Sequence, residues 1–239
     1  MYPALFYHGI KAHAQVLSCS RTEETTTLFL LGDSTVANQH DEAYASWGQL
    51  LSAFIQPGMA VANHAQSGET LKTFISSLRL AKILESVRPG DYALIQFGHN
   101  DQKEAWPQSY LPAETGFKAW LHAYIAEFRL RGVQVLLLTS PERLSFDKQG
   151  KIVPSHGKYP DVVRALAREE QLPLLDLEKA SRALYEGTGE EKAETLFAPK
   201  DRTHHNLKGA YALAELLAAE LYTFIPESRP TAETSSRKS

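Results

Sequence analysis

Thr27-Leu28-Phe29-Leu30-Leu31-Gly32-Asp33-Ser34-Thr35 is an apolar run that breaks at a glycine and turns polar at once. A strand covered on both faces is apolar nearly throughout, so this stretch predicts a buried parallel strand with a polar turn at its carboxyl end. Four further runs have the same character: Ala60–Asn63, Tyr92–Phe97, Val133–Thr139 and Leu172–Leu177. Turn signals precede most of them, at Gln56-Pro57-Gly58, Arg88-Pro89-Gly90-Asp91 and Arg131-Gly132. Between the runs lie stretches of helical period. Trp47, Leu50, Leu51 and Phe54 share one face, as do Phe117, Trp120, Leu121, Tyr124 and Phe128. Leu207, Tyr211, Ala214, Leu217 and Leu221 build a final helix. The alternation predicts an α/β fold, a three-layer αβα sandwich on a five-stranded parallel sheet. Phe146–Pro160 has no clear period and is predicted to be a long loop beside the site.

The chain of 239 residues, 43% of them hydrophobic, is long enough to bury one full core. The predicted domain covers 27–225, with an N-terminal extension over 1–26 and a tail over 226–239 whose Ser, Thr, Pro and charge predict disorder. A net charge of −3, with no block of Lys or Arg, gives no reason to expect a nucleic-acid partner. Cys19 is the single cysteine, so there is no internal disulfide, and no Cys/His spacing suggests zinc. Neither metal nor organic cofactor is expected. No apolar run reaches the roughly 20 residues of a membrane helix, so no membrane partner is expected. Val16-Leu17-Ser18-Cys19 faintly resembles a lipoprotein cleavage box, but Ala12-His13-Ala14-Gln15 before it is too polar for a signal-peptide core. The expected location is therefore cytoplasmic, with secretion as the alternative. Oligomeric state is left open.

In an open parallel sheet, ligands bind at the carboxyl ends of the strands. Polar turns stand at those ends: Gly32-Asp33-Ser34-Thr35, Asn63-His64-Ala65-Gln66-Ser67-Gly68 and Gly98-His99-Asn100-Asp101, with Asp201-Arg202-Thr203-His204 before the last helix. A serine hydroxyl needs a base within hydrogen-bond reach and a group to orient that base. His204 and Asp201 supply both for Ser34. An attacked ester also develops an oxyanion, for which the backbone N–H groups of Ser34 and Gly68 and the amide of Asn100 are candidate donors. Each block alone has a plainer reading, as a helix cap, a turn or a surface imidazole. Their joint occurrence in order is the signal. His205 stands four residues from Asp201 and is an alternative base. His99 and Asp101 read as supports of the Asn100 turn. His40, His64 and His122 are unpaired in sequence. His156, on the predicted loop, and Trp106, in a Pro-containing loop, are candidate sugar contacts, the indole either stacking on a sugar or packing within its loop.

These blocks resemble the SGNH (GDSL) hydrolase superfamily, named for its Ser, Gly, Asn and His. The resemblance runs from Leu28 to about Leu221 and implies a flavodoxin-like SGNH hydrolase fold. It implies Ser34 as nucleophile, Gly68 and Asn100 as oxyanion donors, His204 as base and Asp201 as its partner. Gly32-Asp33-Ser34-Thr35-Val36, Gly98-His99-Asn100-Asp101 and Asp201-x-Thr203-His204 are similar, more narrowly, to the rhamnogalacturonan acetylesterase-like branch, carbohydrate esterase family 12. That branch implies a serine esterase removing acetyl groups from pectic rhamnogalacturonan, xylan or their oligosaccharides through an acetyl-serine intermediate. The alternatives are a lipase or thioesterase of the same superfamily and a non-catalytic carbohydrate-binding domain. The sequence departs from the branch at Ser67-Gly68-Glu69-Thr70, where a Gly-Gly-Arg-Ser turn is common. An acid in place of that cation predicts a substrate contact at Glu69 that disfavours a carboxylate and favours a neutral acetylated sugar.

Overall fold

The computed structural model describes residues 25–231. The expected N-terminal extension, Cys19 included, lies outside the described residues except for Thr25 and Thr26, as do residues 232–239 of the expected tail. The strands are β1 (Thr27–Leu31), β2 (Ala60–Asn63), β3 (Tyr92–Gln96), β4 (Gln134–Leu138) and β5 (Leu174–Leu175). The helices are α1 (Trp47–Leu50), α2 (Leu71–Ser76), α3 (Arg79–Ser86), α4 (Lys118–Arg129), α5 (Tyr159–Glu169), α6 (Leu177–Thr188), α7 (Glu190–Glu194) and α8 (Leu207–Phe224). The sheet is parallel throughout, in the order β2-β1-β3-β4-β5, with Leu28 opposite both Val61 and Tyr92. The chain runs outward from β1 to β2 and then back across to β3. The crevice beyond β1 and β3 is therefore the switch point at which such sheets bind ligands.

Successive side chains of a strand point to opposite faces, and both faces here are covered. Phe29, Leu31, Ala93, Ile95, Val135 and Leu137 pack under α2, α3, α4 and α5. Leu28, Leu30, Tyr92, Leu94, Leu136 and Leu138 pack under α1, α6 and α8. This double burial is why the strands read as unbroken apolar runs. Among the described residues, no helix is long and apolar enough to cross a membrane.

Three local expectations are corrected. β5 is two residues rather than the six of Leu172–Leu177, because Leu172 bonds back to Ala167 at the end of α5 and Leu177 already opens α6. Phe146–Pro160 is not an irregular loop throughout. Phe146 pairs with Ile152 in an antiparallel bridge, and Ile152 is buried with Leu144, Tyr185 and Phe197 in a small separate core. Pro160 belongs to the first turn of α5, a position where the missing N–H costs nothing. The expected tail also begins late: Pro226–Ser228 forms a 3₁₀ turn, Ser228 is buried, and its carbonyl accepts the Gln56 N–H.

Candidate active site

β1 ends at Gly32, where any Cβ would meet Val36 Cγ2 at 2.6 Å and the Gln96 carbonyl at 2.9 Å. Only glycine lets the chain turn this tightly against β3. The turn is then fastened from below. The Asp33 Oδ1 accepts the Thr35 N–H and the Thr35 hydroxyl, each at 2.9 Å, while the Asp33 carbonyl accepts the N–H groups of Val36 and Ala37. The buried Trp47 indole donates to Gln96 Oε1 (3.0 Å), and Gln96 Nε2 donates to Thr35 Oγ1 (2.6 Å). α1 thus starts well after this turn, with Ser46 as its N-cap, and the Gly-Asp-Ser block is a turn rather than a helix cap. Burial pushes the Asp33 carboxyl above its ordinary range, although Thr35 hydrogen bonds oppose the shift.

The Ser34 hydroxyl donates to His204 Nε2 at 2.9 Å, and His204 Nδ1 donates to Asp201 Oδ2 at 2.8 Å. Asp201 Oδ1 is occupied separately, by the backbone N–H groups of Thr203 (2.7 Å) and His204 (3.0 Å). Against the upward push of burial, these bonds hold the Asp201 carboxyl below its ordinary range. Asp201 therefore stays ionised and fixes the His204 tautomer, leaving the Nε2 lone pair for the Ser34 proton. His205 is not the partner of Ser34. It is 3% exposed, its ring is bonded to the Tyr185 hydroxyl at 2.7 Å, and it packs on Phe197 at 4.4 Å between centroids. The backbone is extended here, bridging Ala45 and Phe197, so neighbouring side chains point opposite ways. His204 faces the crevice and His205 the core.

Gly68 and Asn100 border the same cleft as Ser34. Gly68 adopts φ +83 with open space where a Cβ would stand, so it is required by backbone conformation and not by crowding. Among the described residues, neither the Ser34 nor the Gly68 N–H has a protein acceptor. The orientation of the Asn100 amide is fixed by chemistry: Lys103 Nζ can only donate, so it meets Oδ1 (2.6 Å), and Nδ2 donates one proton to the Glu69 carbonyl (3.0 Å). The second Nδ2 proton remains for an oxyanion. Asp101 anchors this turn, accepting the N–H groups of Leu71 and Gly98, and burial pushes its carboxyl up to about 7.

The cleft has a volume of about 580 Å³ and contains residues that sequence reasoning did not single out. Gln39 donates to the Ser34 carbonyl at 2.6 Å, and Tyr44 lies edge-on to the His204 ring. Lys103 and Arg143 bring two cations, and among the described residues no aliphatic side chain lines the cleft. Only the convergence of loops after β1, β3 and β4 in space places these side chains together.

None of the three expected substrate contacts lines the cleft. Glu69 is buried, its carboxylate lies 3.5 Å from Arg79, and it does not line the cleft. The acid expected to favour a neutral sugar is thus absent from the cleft lining, which holds the cations Lys103 and Arg143. His156 is 1% exposed and sits behind His99, bonded to its Nδ1 at 2.9 Å, so it cannot touch a sugar. Trp106 is 58% exposed, stands outside the cleft lining, and has its backbone held by bonds within its own loop. Among the described residues, no group of three His, Cys, Asp or Glu side chains is arranged to hold a metal.

The GDSL-like Lipase/Acylhydrolase family profile matches residues 30–212. The chain is 37% identical over 206 residues to the rhamnogalacturonan acetylesterase RhgT of Bacillus subtilis, covering 80% of this chain and 87% of that one. It is 35% identical over 196 residues to the probable rhamnogalacturonan acetylesterase YesY of the same organism, covering 80% and 90%. The crystal structure of the Bacillus subtilis protein YxiM superposes with a TM-score of 0.78 at 32% identity, covering 85% of this chain and 58% of that one.

Proposed function

The chain belongs to the GDSL-like lipase/acylhydrolase family, in the rhamnogalacturonan acetylesterase-like branch of the SGNH superfamily, and on that premise we propose that it is a serine esterase removing acetyl groups from a carboxylate-bearing carbohydrate. The observation that carries this reading is the continuous Ser34–His204–Asp201 hydrogen-bond chain, in a cleft that holds Lys103 and Arg143 and, among the described residues, no aliphatic side chain. Ser34 Oγ attacks the acetyl carbonyl carbon while His204 Nε2 takes its proton. The developing oxyanion is met by the N–H groups of Ser34 and Gly68 and by Asn100 Nδ2. Collapse expels the sugar oxygen, which His204 protonates, and leaves acetyl-Ser34. Water, deprotonated by His204, then attacks the acetyl group, and acetate leaves as Ser34 regains its proton.

The lining distinguishes the substrate class. A long acyl chain gains about 0.8 kcal/mol per methylene only where apolar surface receives it, and among the described residues no aliphatic side chain lines this cleft. A short acyl group on a hydroxyl-rich alcohol fits, and a uronate carboxylate matches the two cations. Supporting the same reading, RhgT and YesY are named a rhamnogalacturonan acetylesterase and a probable one. The test is acetate release from acetylated galacturonate oligosaccharides, their uncharged methyl esters and acetylated xylo-oligosaccharides. The charged substrate is expected to have the highest kcat/KM, and Lys103→Ala and Arg143→Gln are expected to cost more on it than on its methyl ester. Equal rates on charged and uncharged substrates would overturn the carboxylate; absence of acetate release from all three would overturn the carbohydrate.

A further inference from the structure

Behind the cleft lies a file of buried polar side chains that the proposed chemistry does not use. Arg143 Nη2 lies 3.1 Å from His99 Nε2, His99 Nδ1 lies 2.9 Å from His156 Nε2, and His156 Nδ1 lies 3.1 Å from the Ser155 hydroxyl. Ser155 in turn donates to Glu142 Oε2, which is also reached by the Ser155 backbone N–H at 3.0 Å. His99, His156 and Glu142 are all nearly inaccessible to solvent.

The direction of every bond in this file is forced. A guanidinium has no acceptor, so the His99 Nε2 facing Arg143 must carry a lone pair. A neutral His99 then carries its proton on Nδ1 and donates it to His156. His156 Nε2 must accept, which leaves its own proton on Nδ1, directed at Ser155. Ser155 has one hydroxyl proton and gives it to Glu142. Burial, together with the nearby His156, Arg143, Lys103 and His204, holds His99 well below the ordinary histidine value, in keeping with a neutral ring. Against the upward push of burial, hydrogen bonds from His156, Ser155 and Arg182 hold Glu142 at about 2, so the inner end of the file is an anion.

Among the described residues, the Arg143 guanidinium has one other anchor, the Ser155 carbonyl at 3.0 Å, apart from a longer contact of 3.5 Å to the His99 carbonyl. We propose that His156 is a positioning residue, which acts through the His99 tautomer to hold the Arg143 guanidinium in the cleft and so sets the affinity for the substrate carboxylate without touching substrate. This rests on the reading that Arg143 meets that carboxylate.

The test compares His156→Leu with His156→Gln, using an acetylated galacturonate oligosaccharide and its methyl ester. Leucine leaves the His99 Nδ1–H without an acceptor; glutamine can restore one near the Nε2 position. His156→Leu is expected to raise KM for the charged substrate about tenfold, with much less effect on the methyl ester and on kcat, and His156→Gln to reverse most of it. A role confined to stability would lower kcat on both substrates alike, and that result overturns the proposal. The ring-nitrogen shifts of His99 give a readout independent of activity: nitrogen-15 spectra of the wild-type protein are expected to show Nδ1 protonated, and His156→Leu to move the proton to Nε2. A wild-type His99 protonated at Nε2 overturns the relay whatever the substrate. An Arg143→Gln enzyme with equal losses on both esters overturns the carboxylate reading and, with it, the functional half of this proposal.

Discussion

Asp201→Asn is the substitution whose effect the geometry specifies most closely. Asp201 Oδ1 accepts two backbone N–H groups, from Thr203 and His204, and Oδ2 accepts the His204 ring proton. Asparagine has one acceptor and one donor. If its NH₂ faced the backbone, it would oppose two N–H donors at 2.7 and 3.0 Å, so its carbonyl oxygen takes that side. The NH₂ is then aimed at His204 Nδ1, which must become the lone-pair nitrogen. The ring proton moves to Nε2, now donating toward Ser34 when it should accept. The backbone caps survive, so the fold should stay within about 1 kcal/mol of wild type. The chemistry should not: reversal of a catalytic histidine tautomer costs on the order of 10⁴-fold in kcat, about 5 kcal/mol of transition-state stabilisation. Initial rates of 4-nitrophenyl acetate hydrolysis, with a thermal melt on the same sample, separate the two effects. A folded variant retaining activity within about tenfold of wild type would refute the tautomer argument.

Asn100→Ala removes one oxyanion donor and should lower kcat about 10²–10³-fold with little change in KM; a rate near wild type in a steady-state assay would remove the amide from the oxyanion site. Burial holds His205 at about 3 against an ordinary 6.5, so its neutral ring contributes stability that is present above pH 6.5 and lost as pH falls toward 3. Denaturant titrations of wild type and His205→Gln should therefore converge on acidification, the wild type losing about 2 kcal/mol more than the variant between neutral pH and about pH 5. Trp106→Ala should raise KM for polymeric substrate severalfold and leave 4-nitrophenyl acetate kinetics unaltered, because the exposed indole stands outside the cleft lining; equal KM values on polymer would dismiss sugar stacking.

The fold was legible because β1, β3 and β4 are buried on both faces, which writes them as apolar runs, and because the parallel crossovers leave a helical period between them. The site was legible where one short block holds both the turn and the functional atom, as at Ser34, Gly68 and Asn100. The choice between His204 and His205 was not: both lie near Asp201 in sequence, and only the extended backbone pairing with Ala45 and Phe197 turns one outward and the other in. Lys103 and Arg143 escaped notice because a single cation in a loop carries no pattern until the fold brings β3 and β4 loops together. Glu69 misled for the same reason. Its position beside Gly68 suggested the cleft, whereas its carboxylate turns to Arg79 and only its carbonyl meets Asn100. Pro160 reads in sequence as part of the preceding loop because a proline is as much at home in a loop as in the first turn of a helix.

Catalysis through Ser34 requires that Ser34 itself carry the acetyl group during turnover. Acid-quenching the enzyme during turnover of 4-nitrophenyl acetate, followed by peptide mass spectrometry, is expected to find one added acetyl group on the peptide containing Ser34 and none on that peptide from Ser34→Ala, which should also be inactive. An acetyl group lodged stably on another residue, or a Ser34→Ala enzyme that turns over at the wild-type rate, would contradict it.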